Sequence, residues 1–328
     1  MSPFNIFHNH KEFLSVKKII KKSVSIIIPV YNERDNVEAM VWALREVISK
    51  LSYICTITFI DDGSNDGTLE NIRQQSLLYS NVFFISLARN FGHQNALKTA
   101  LDFNKSDCVI TIDGDLQHPP SLIPKLIEKW EEGNEIVYTI RKDDKTELPI
   151  LKRKTSNLFY NLLNNLSGIQ LEQGTADFRL LDKKVVDILR NFDEDDLFWR
   201  GLVKWVGFKQ VSVEYIPEIR KHGKSKYTYR QMMAFGLKGI TSFSTKPLTI
   251  AIYFGFSNAC LSLFYIPYVL YSIYFGHSIS DWASLIVTVA FLGGLQLMIL
   301  GIIGIYLGKL FIQSKKRPHY IVKELNVT

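Results

Sequence analysis

The chain has 328 residues, 47% of them hydrophobic and 22% charged, with a net charge of +7 and a pI near 9.1. That apolar content excludes a disordered chain, and the length suits one sizeable domain with an appendage. Cys55, Cys108 and Cys260 stand singly, without CxxC or other ligand spacing, which argues against disulfides or a zinc site and for buried thiols in a reducing compartment.

Residues 1–22 form an N-terminal extension without the apolar stretch of a signal peptide, so the part that follows is expected to stay in the cytoplasm. Ser23 to Val30 (SVSIIIPV) reads as a β-branched strand, followed by a turn at Tyr31-Asn32-Glu33. Helical spacing then runs through Val37, Met40, Val41, Leu44, Val47 and Ile48. Ile54 to Ile60 is a second strand, ending in the polar run DDGSNDGT, and Val82 to Leu87 a third, ending in RNFGH before a helix through Ala96, Leu97 and Ala100. Val109 to Ile112 is a fourth, cut off by Asp113-Gly114-Asp115 and stopped at Pro119-Pro120. Strand, polar loop and helix in repetition predict an α/β domain with a largely parallel sheet. Every unusual polar cluster lies just after a strand, the edge where open α/β sheets bind ligands. Two carboxylates bracketing a glycine there form a hard oxygen site suited to Mg²⁺ or Mn²⁺ shared with a substrate's phosphates.

The C-terminal third has a different composition. Residues 229–246 space apolar side chains helically, with Arg230, Lys238 and Lys246 set apart, as in an amphipathic helix lying at a membrane interface. Residues 247–314 hold two uncharged runs, about 248–275 and 283–310, each longer than the ~20 residues that cross a bilayer. The short link HSISD between them predicts an antiparallel transmembrane hairpin. Lys246 before the first span, and Lys309, Lys315, Lys316 and Arg317 around the end of the second, place both ends in the cytoplasm, with residues 315–328 as a cytoplasmic tail. The expected location is therefore a cell (inner) membrane, multi-pass. Lys and Arg clustered beside apolar segments favour an anionic membrane face over nucleic acid as the basic surface's partner. Gly293, Gly294, Gly301, Gly304 and Gly308 give a small-residue face for packing within the hairpin or between protomers of a homo-oligomer.

The runs IIIPVYNERDNV, DDGSNDGT, ARNFGHQNAL, IDGDLQHPP, ADFRLLDKKVV, FWRGLVKWVGF, HGKSKYTYRQM and FSTKPL, in that order, resemble family 2 glycosyltransferases, and among them the polyprenyl-phosphate branch. The resemblance covers about residues 22–320. It implies a nucleotide-sugar-binding, Rossmann-like GT-A domain over residues 23–228. It also implies an inverting transferase that moves a hexose, glucose from UDP-glucose foremost, to undecaprenyl or another polyprenyl phosphate for cell-envelope glycan modification. A GDP-mannose or amino-sugar donor is the alternative. A processive polysaccharide synthase is more distant, because DDLFWR at 195–200 does not match the QxxRW motif of those enzymes. A non-catalytic adaptor would not need the intact acidic residues.

The resemblance also implies roles for particular residues. Pro29, Tyr31, Glu33 and Asp62 would line the nucleotide pocket, and Lys226 would lie by the diphosphate. Asp113, Gly114 and Asp115 would bracket the diphosphate and its divalent metal, with Asp115 the principal ligand and Gln117 an added oxygen ligand. His118 reads as a turn residue or an outer partner of the metal ligands rather than as a ligand, and His93 as structural. A lipid phosphate, with a second pKa of about 6, is already a dianion at neutral pH and calls for charge compensation more than for a general base. Arg141, Lys152, Arg153, Ser156 and Arg179 are the candidates for holding it. Which of Lys152 and Arg153 makes the contact is open, because Pro149 and Asp143-Asp144 depart from the family's pattern. Asp177 would act as base or as orienter of the acceptor, and Arg200 as its ion-pair partner or as a phosphate ligand.

Overall fold

A computed structural model of the protein describes residues 22–142, 164–168, 172, 174–216, 239–263 and 282–327, with isolated positions between 267 and 275. Lys152, Arg153, Ser156, Lys226 and the greater part of the expected amphipathic helix, 229–238, lie outside the described residues.

Strands β1 (Ser23–Val30), β2 (Ile54–Asp61), β3 (Val82–Leu87) and β4 (Cys108–Thr111) alternate with helices α1 (Arg34–Ile48), α2 (Thr68–Leu78) and α3 (His93–Phe103), as the pattern predicts. A 3₁₀ turn (Pro120–Leu122) leads into α4 (Ile123–Glu131) and then β5 (Ile136–Arg141). Next come β6 (Thr175–Asp182), α5 (Lys183–Leu189), α6 (Trp199–Trp205) and β7 (Gln210–Tyr215). Two further helices, α7 (Lys246–Leu263) and α8 (Trp282–Ser314), precede the last strand, β8 (Val322–Leu325).

The eight described strands form one mixed sheet in the order β7-β5-β6-β4-β1-β2-β3-β8. β6 and β8 run antiparallel to their neighbours and the rest run one way. The carboxyl ends of six strands therefore share an edge with the amino end of β6. Because the sheet is covered on both sides, β1 reads as a continuous apolar run: Val24, Ile26, Ile28 and Val30 pack with α1, α2 and α4 on one face. Ile27 packs on the other with α3, α5 and α6.

Within the expected tail, β8 completes the sheet beside β3 among the described residues. The Arg73 guanidinium grips the Glu324 carboxylate with two bonds of 2.8 and 2.6 Å. Tyr320 donates to Asp102 at 3.0 Å, and His319 pairs with Asp193 at 3.0 Å. In the apolar region, Phe291–Ser314 is the one helix among the described residues long and apolar enough to cross a membrane. Its parent α8, 33 residues, is about 50 Å long at 1.5 Å per residue. The C-terminal end of α8 adjoins the domain built on the sheet, with Lys309 3.1 Å from Asp196 and Gln313 accepting from the Asp195 amide at 2.7 Å. The start of α7 adjoins it too, since Lys246 donates to the Asn165 carbonyl. Tyr306 of α8 donates to the Ser244 carbonyl just before α7 at 2.6 Å. A methyl group built on Gly293, Gly294, Gly301, Gly304 or Gly308 would meet nothing within 4 Å, so among the described residues these glycines pack against no part of the chain.

Candidate active site

The strand ends create a cleft floor built from four loops. After β1, Asn32 takes a positive φ of 55° and is stitched to the loop after β2: its amide donates to Ser64 Oγ at 2.9 Å and its side-chain oxygen accepts from the Asn65 amide at 3.0 Å. Glu33 donates its amide to Thr68 Oγ1 at 2.9 Å and turns its carboxylate onto Asn36, 2.6 Å away, at the start of α1. Pro29 is buried within β1, while the Tyr31 ring is 40% exposed beside the cleft.

Asp61 and Asp62, both buried, organise the neighbouring loops. Asp61 accepts from the Ser64 amide and from Ser86 Oγ at 3.1 and 2.8 Å. Asp62 accepts from the Phe91 and Gly92 amides at 2.7 and 2.8 Å, holding the turn that leads into α3. Burial pushes the Asp62 carboxyl up, against the downward pull of those two amides. The pocket residue expected to meet the base or ribose thus has both oxygens engaged by the protein backbone.

Beyond β4 the chain turns sharply through Asp113-Gly114-Asp115. A Cβ on Gly114 would lie 2.7 Å from Val30 Cγ1, so only glycine lets this turn sit on the end of β1. Asp115 accepts from the Gln117 amide at 3.1 Å, Leu116 adopts φ 59°, and the chain doubles back so that Gln117 and His118 face the same cleft. Gln117 Oε1 accepts from Arg141, at the end of β5, at 3.4 Å. Among the described residues no three His, Cys, Asp or Glu side chains converge as a metal cage. Two carboxylates and an amide oxygen instead match the hard, incomplete donor set that Mg²⁺ or Mn²⁺ completes with substrate phosphates.

The register of β4 on β6, Thr111 opposite Arg179, brings Asp177 across from Asp113. Asp177 lies between two guanidiniums: Arg179 donates at 2.7 Å to Oδ1, and Arg200, on α6, donates at 3.2 Å to Oδ1 and 2.9 Å to Oδ2. Burial alone would raise the Asp177 carboxyl, but the charges of Arg200 and Arg179 outweigh it and hold the group far below the usual carboxylate range. Arg179 is itself buried, with the Ala176 carbonyl at 3.1 Å as a further acceptor. Arg200 is followed by Gly201, where a Cβ would lie 2.6 Å from the Phe243 ring, so α6 fits under Phe243 only with glycine there.

The structure thus brings Asp113, Asp177, Arg179, Arg200, Gln117 and Arg141 to one edge and gives Glu33 and Asp62 work within their own loops. It also brings to this edge His93 and His118, which the sequence had not marked as ligands, and Tyr215, which it had not marked at all. His93, the first residue of α3, stands between the acidic landmarks, its Nε2 3.8 Å from Asp113 Oδ1 and 3.9 Å from Asp177 Oδ2. His118 Nε2 is 3.0 Å from Asp113 Oδ2, and its Nδ1 is 2.7 Å from the hydroxyl of Tyr215, the last residue of β7. The sequence signal for all three was position, since each lies at a strand end or the loop leaving it.

The mixed α/β sheet thus carries, at its shared edge, an Asp-Gly-Asp turn facing an arginine-clamped aspartate. The chain belongs to glycosyl transferase family 2, whose model matches residues 25–189. It is 40% identical over 301 residues to an uncharacterized glycosyltransferase, YkcC, of Bacillus subtilis, covering 92% of this chain and 93% of the relative. It is 39% identical over 303 residues to the prophage bactoprenol glucosyl transferase homolog of Escherichia coli, covering 92% and 99%. Among solved structures it is similar to mannosyl-3-phosphoglycerate synthase from Rubrobacter xylanophilus at 17% identity, with a TM-score of 0.46 and coverage of 66% and 71%.

Proposed function

We propose that the protein is an inverting, metal-dependent transferase that moves glucose from UDP-glucose onto a polyprenyl phosphate such as undecaprenyl phosphate. The carrying observation is the convergence of Asp113 and Asp177 on His93, 3.8 and 3.9 Å from its Nε2. The naming of a relative 39% identical over nearly its whole length as a bactoprenol glucosyl transferase homolog supports the lipid acceptor and the sugar.

Tyr31 flanks the base, and Asp62 positions the Phe91-Gly92 turn that borders the nucleotide. Asp113, Asp115 and Gln117 are the residues that would hold Mg²⁺ or Mn²⁺, which would supply Lewis-acid stabilisation of the departing nucleotide diphosphate. Arg141 lies beside Gln117 and compensates phosphate charge, with Lys152, Arg153 and Ser156 as its assigned companions on the acceptor side and Lys226 by the diphosphate. Asp177, ionised and doubly clamped, is too weak a base to take a proton at neutral pH and acts as a fixed anion that orients Arg200. The acceptor phosphate, a dianion, attacks the anomeric carbon without a base as the bond to the diphosphate breaks. α7 and α8 anchor the domain beside the lipid headgroups. The attachment of both the start of α7 and the end of α8 to the same domain supports an antiparallel hairpin with the catalytic domain and the C-terminal strand on the cytoplasmic face.

The test is full-length protein in detergent with Mn²⁺, undecaprenyl phosphate and UDP-glucose, GDP-mannose or UDP-N-acetylglucosamine singly, followed by mass analysis of the lipid. A lipid gaining one hexose from UDP-glucose alone is the expected outcome; no lipid-linked sugar from any donor would overturn the reading.

A further inference from the structure

Asp113 does not stand free in the cleft. One of its oxygens, Oδ2, is tied to His118, and His118 is tied in turn to Tyr215, 97 residues further along the chain. The imidazole is buried and packed between the rings of Phe178 and Tyr215, each 5.5 Å from it centre to centre. Tyr215 is buried as well, and β7 is held against β5 in a register that sets Tyr215 beside Arg141. The ring therefore has no room to turn, and both its nitrogens are used.

An ionised carboxylate can only accept, so His118 Nε2 carries a hydrogen and donates it to Asp113, while Nδ1 shares a hydrogen bond with the Tyr215 hydroxyl. Asp113 Oδ2 is thereby turned towards the sheet, and Oδ1, on the His93 side, is the oxygen left to face the cleft. A carboxylate held in this way offers a metal one oxygen in a fixed direction, where a free carboxylate would swing between one-oxygen and two-oxygen binding. Outer partners of ligating groups act in this manner at metal sites generally.

Resting on the transferase reading above, we infer that His118 and Tyr215 are positioning residues that fix the Asp113 carboxylate for a divalent ion held jointly with the donor diphosphate. They touch neither sugar nor phosphate, and they act through Asp113. Tyr215 adds a link between this oxygen and the strand next to Arg141, so the metal turn and the phosphate-binding edge are set by one hydrogen-bonded chain.

The experiment measures Mn²⁺ binding to full-length protein in detergent with UDP present, following free Mn²⁺ by electron paramagnetic resonance. The wild type is compared with Tyr215→Phe, His118→Gln and His118→Phe. Loss of an outer partner weakens a metal site by roughly 10- to 100-fold. His118→Phe is expected in that range, Tyr215→Phe at about its lower end, and His118→Gln, which keeps an N–H near the Nε2 position, closer to wild type. Raising Mn²⁺ should restore the kcat of Tyr215→Phe, an effect that a purely structural role would not produce. Should His118→Phe fail to fold, Tyr215→Phe, which removes a single hydroxyl, decides the matter. Wild-type binding matched by unchanged Mn²⁺ affinity in Tyr215→Phe and in every His118 variant that folds overturns the inference. A wild type that binds no Mn²⁺ with UDP overturns the transferase reading itself, a separate result.

Discussion

Replacing Asp177 by Asn keeps its shape and removes its charge. Arg179, whose side chain is 5% exposed, then keeps only an amide oxygen and the Ala176 carbonyl, while Arg200, 31% exposed, can turn towards water. Breaking a buried pair from one side costs about 3–5 kcal/mol, because the remaining charge stays uncompensated. The lower end applies here, since Arg200 can rehydrate. At about 2–4 °C per kcal/mol for a domain of this size, Asp177→Asn should lower the apparent melting temperature by roughly 6–12 °C. Tryptophan fluorescence during heating in detergent reads this directly, as Trp199 is buried on α6 beside Arg200. Adding Arg179→Met removes the stranded charge, so the double variant should melt above the single one while both stay inactive in glucosyl transfer. An Asp177→Asn protein melting within about 1 °C of wild type, or a double variant less stable than the single, would refute the account of Asp177 as the counter-charge of a buried cluster.

Asp115→Asn should lower transfer by roughly 100-fold or more with little change in melting, as removal of a transition-state electrostatic contact does; activity against Mn²⁺ concentration checks it. Gly114→Ala should destabilise by about 1–3 kcal/mol, because the new methyl would lie 2.7 Å from Val30 Cγ1, and heat denaturation together with UDP binding would register the displaced turn. Asp177 is held low by Arg200 and Arg179 against the effect of burial, so its contribution to stability is complete above the ordinary carboxylate range and is lost only as pH falls through the depressed folded value. Between pH 8 and 5 the rate should accordingly fall with the acceptor phosphate, whose second pKa is about 6, and show no limb from Asp177; a pH–rate profile with a soluble acceptor analogue tests this. Deleting residues 320–328 should expose the β3 edge and cause aggregation, measured by size exclusion, whereas Glu324→Ala alone should cost no more than about 1 kcal/mol because its pair with Arg73 is partly exposed.

The first four strands were legible because each is a short, mainly apolar run leading into a polar loop, and burial on both faces confines their polar residues to a few Ser and Thr and the Asp61 that ends β2. β6 was not, since Thr175–Asp182 carries Asp177, Arg179 and Asp182 within eight residues, a density of charge that looks like a loop until Arg200 arrives from α6 to complete the cluster. β8 is four residues of VKEL whose partner lies in β3, and no local signal announces such a pairing. Among site residues, Asp113 and Asp115 could be read from their spacing and position. His118 resembled a turn residue because its meaning depends on Tyr215, and His93 read as structural because the two aspartates it faces come from the loop after β4 and from β6.

The strand that finishes the sheet is made after both apolar helices, α7 and α8. Arg73 meets Glu324 across 251 positions, with the apolar α7 and α8 made in between. A growing polypeptide therefore carries β3 with an open flank until both helices have been made, and that flank closes only after the far end of α8 has come back to the domain. Maturation of the catalytic half is in this way timed by disposal of the greasy segments, and a molecule whose helices go astray betrays itself through an unfinished sheet.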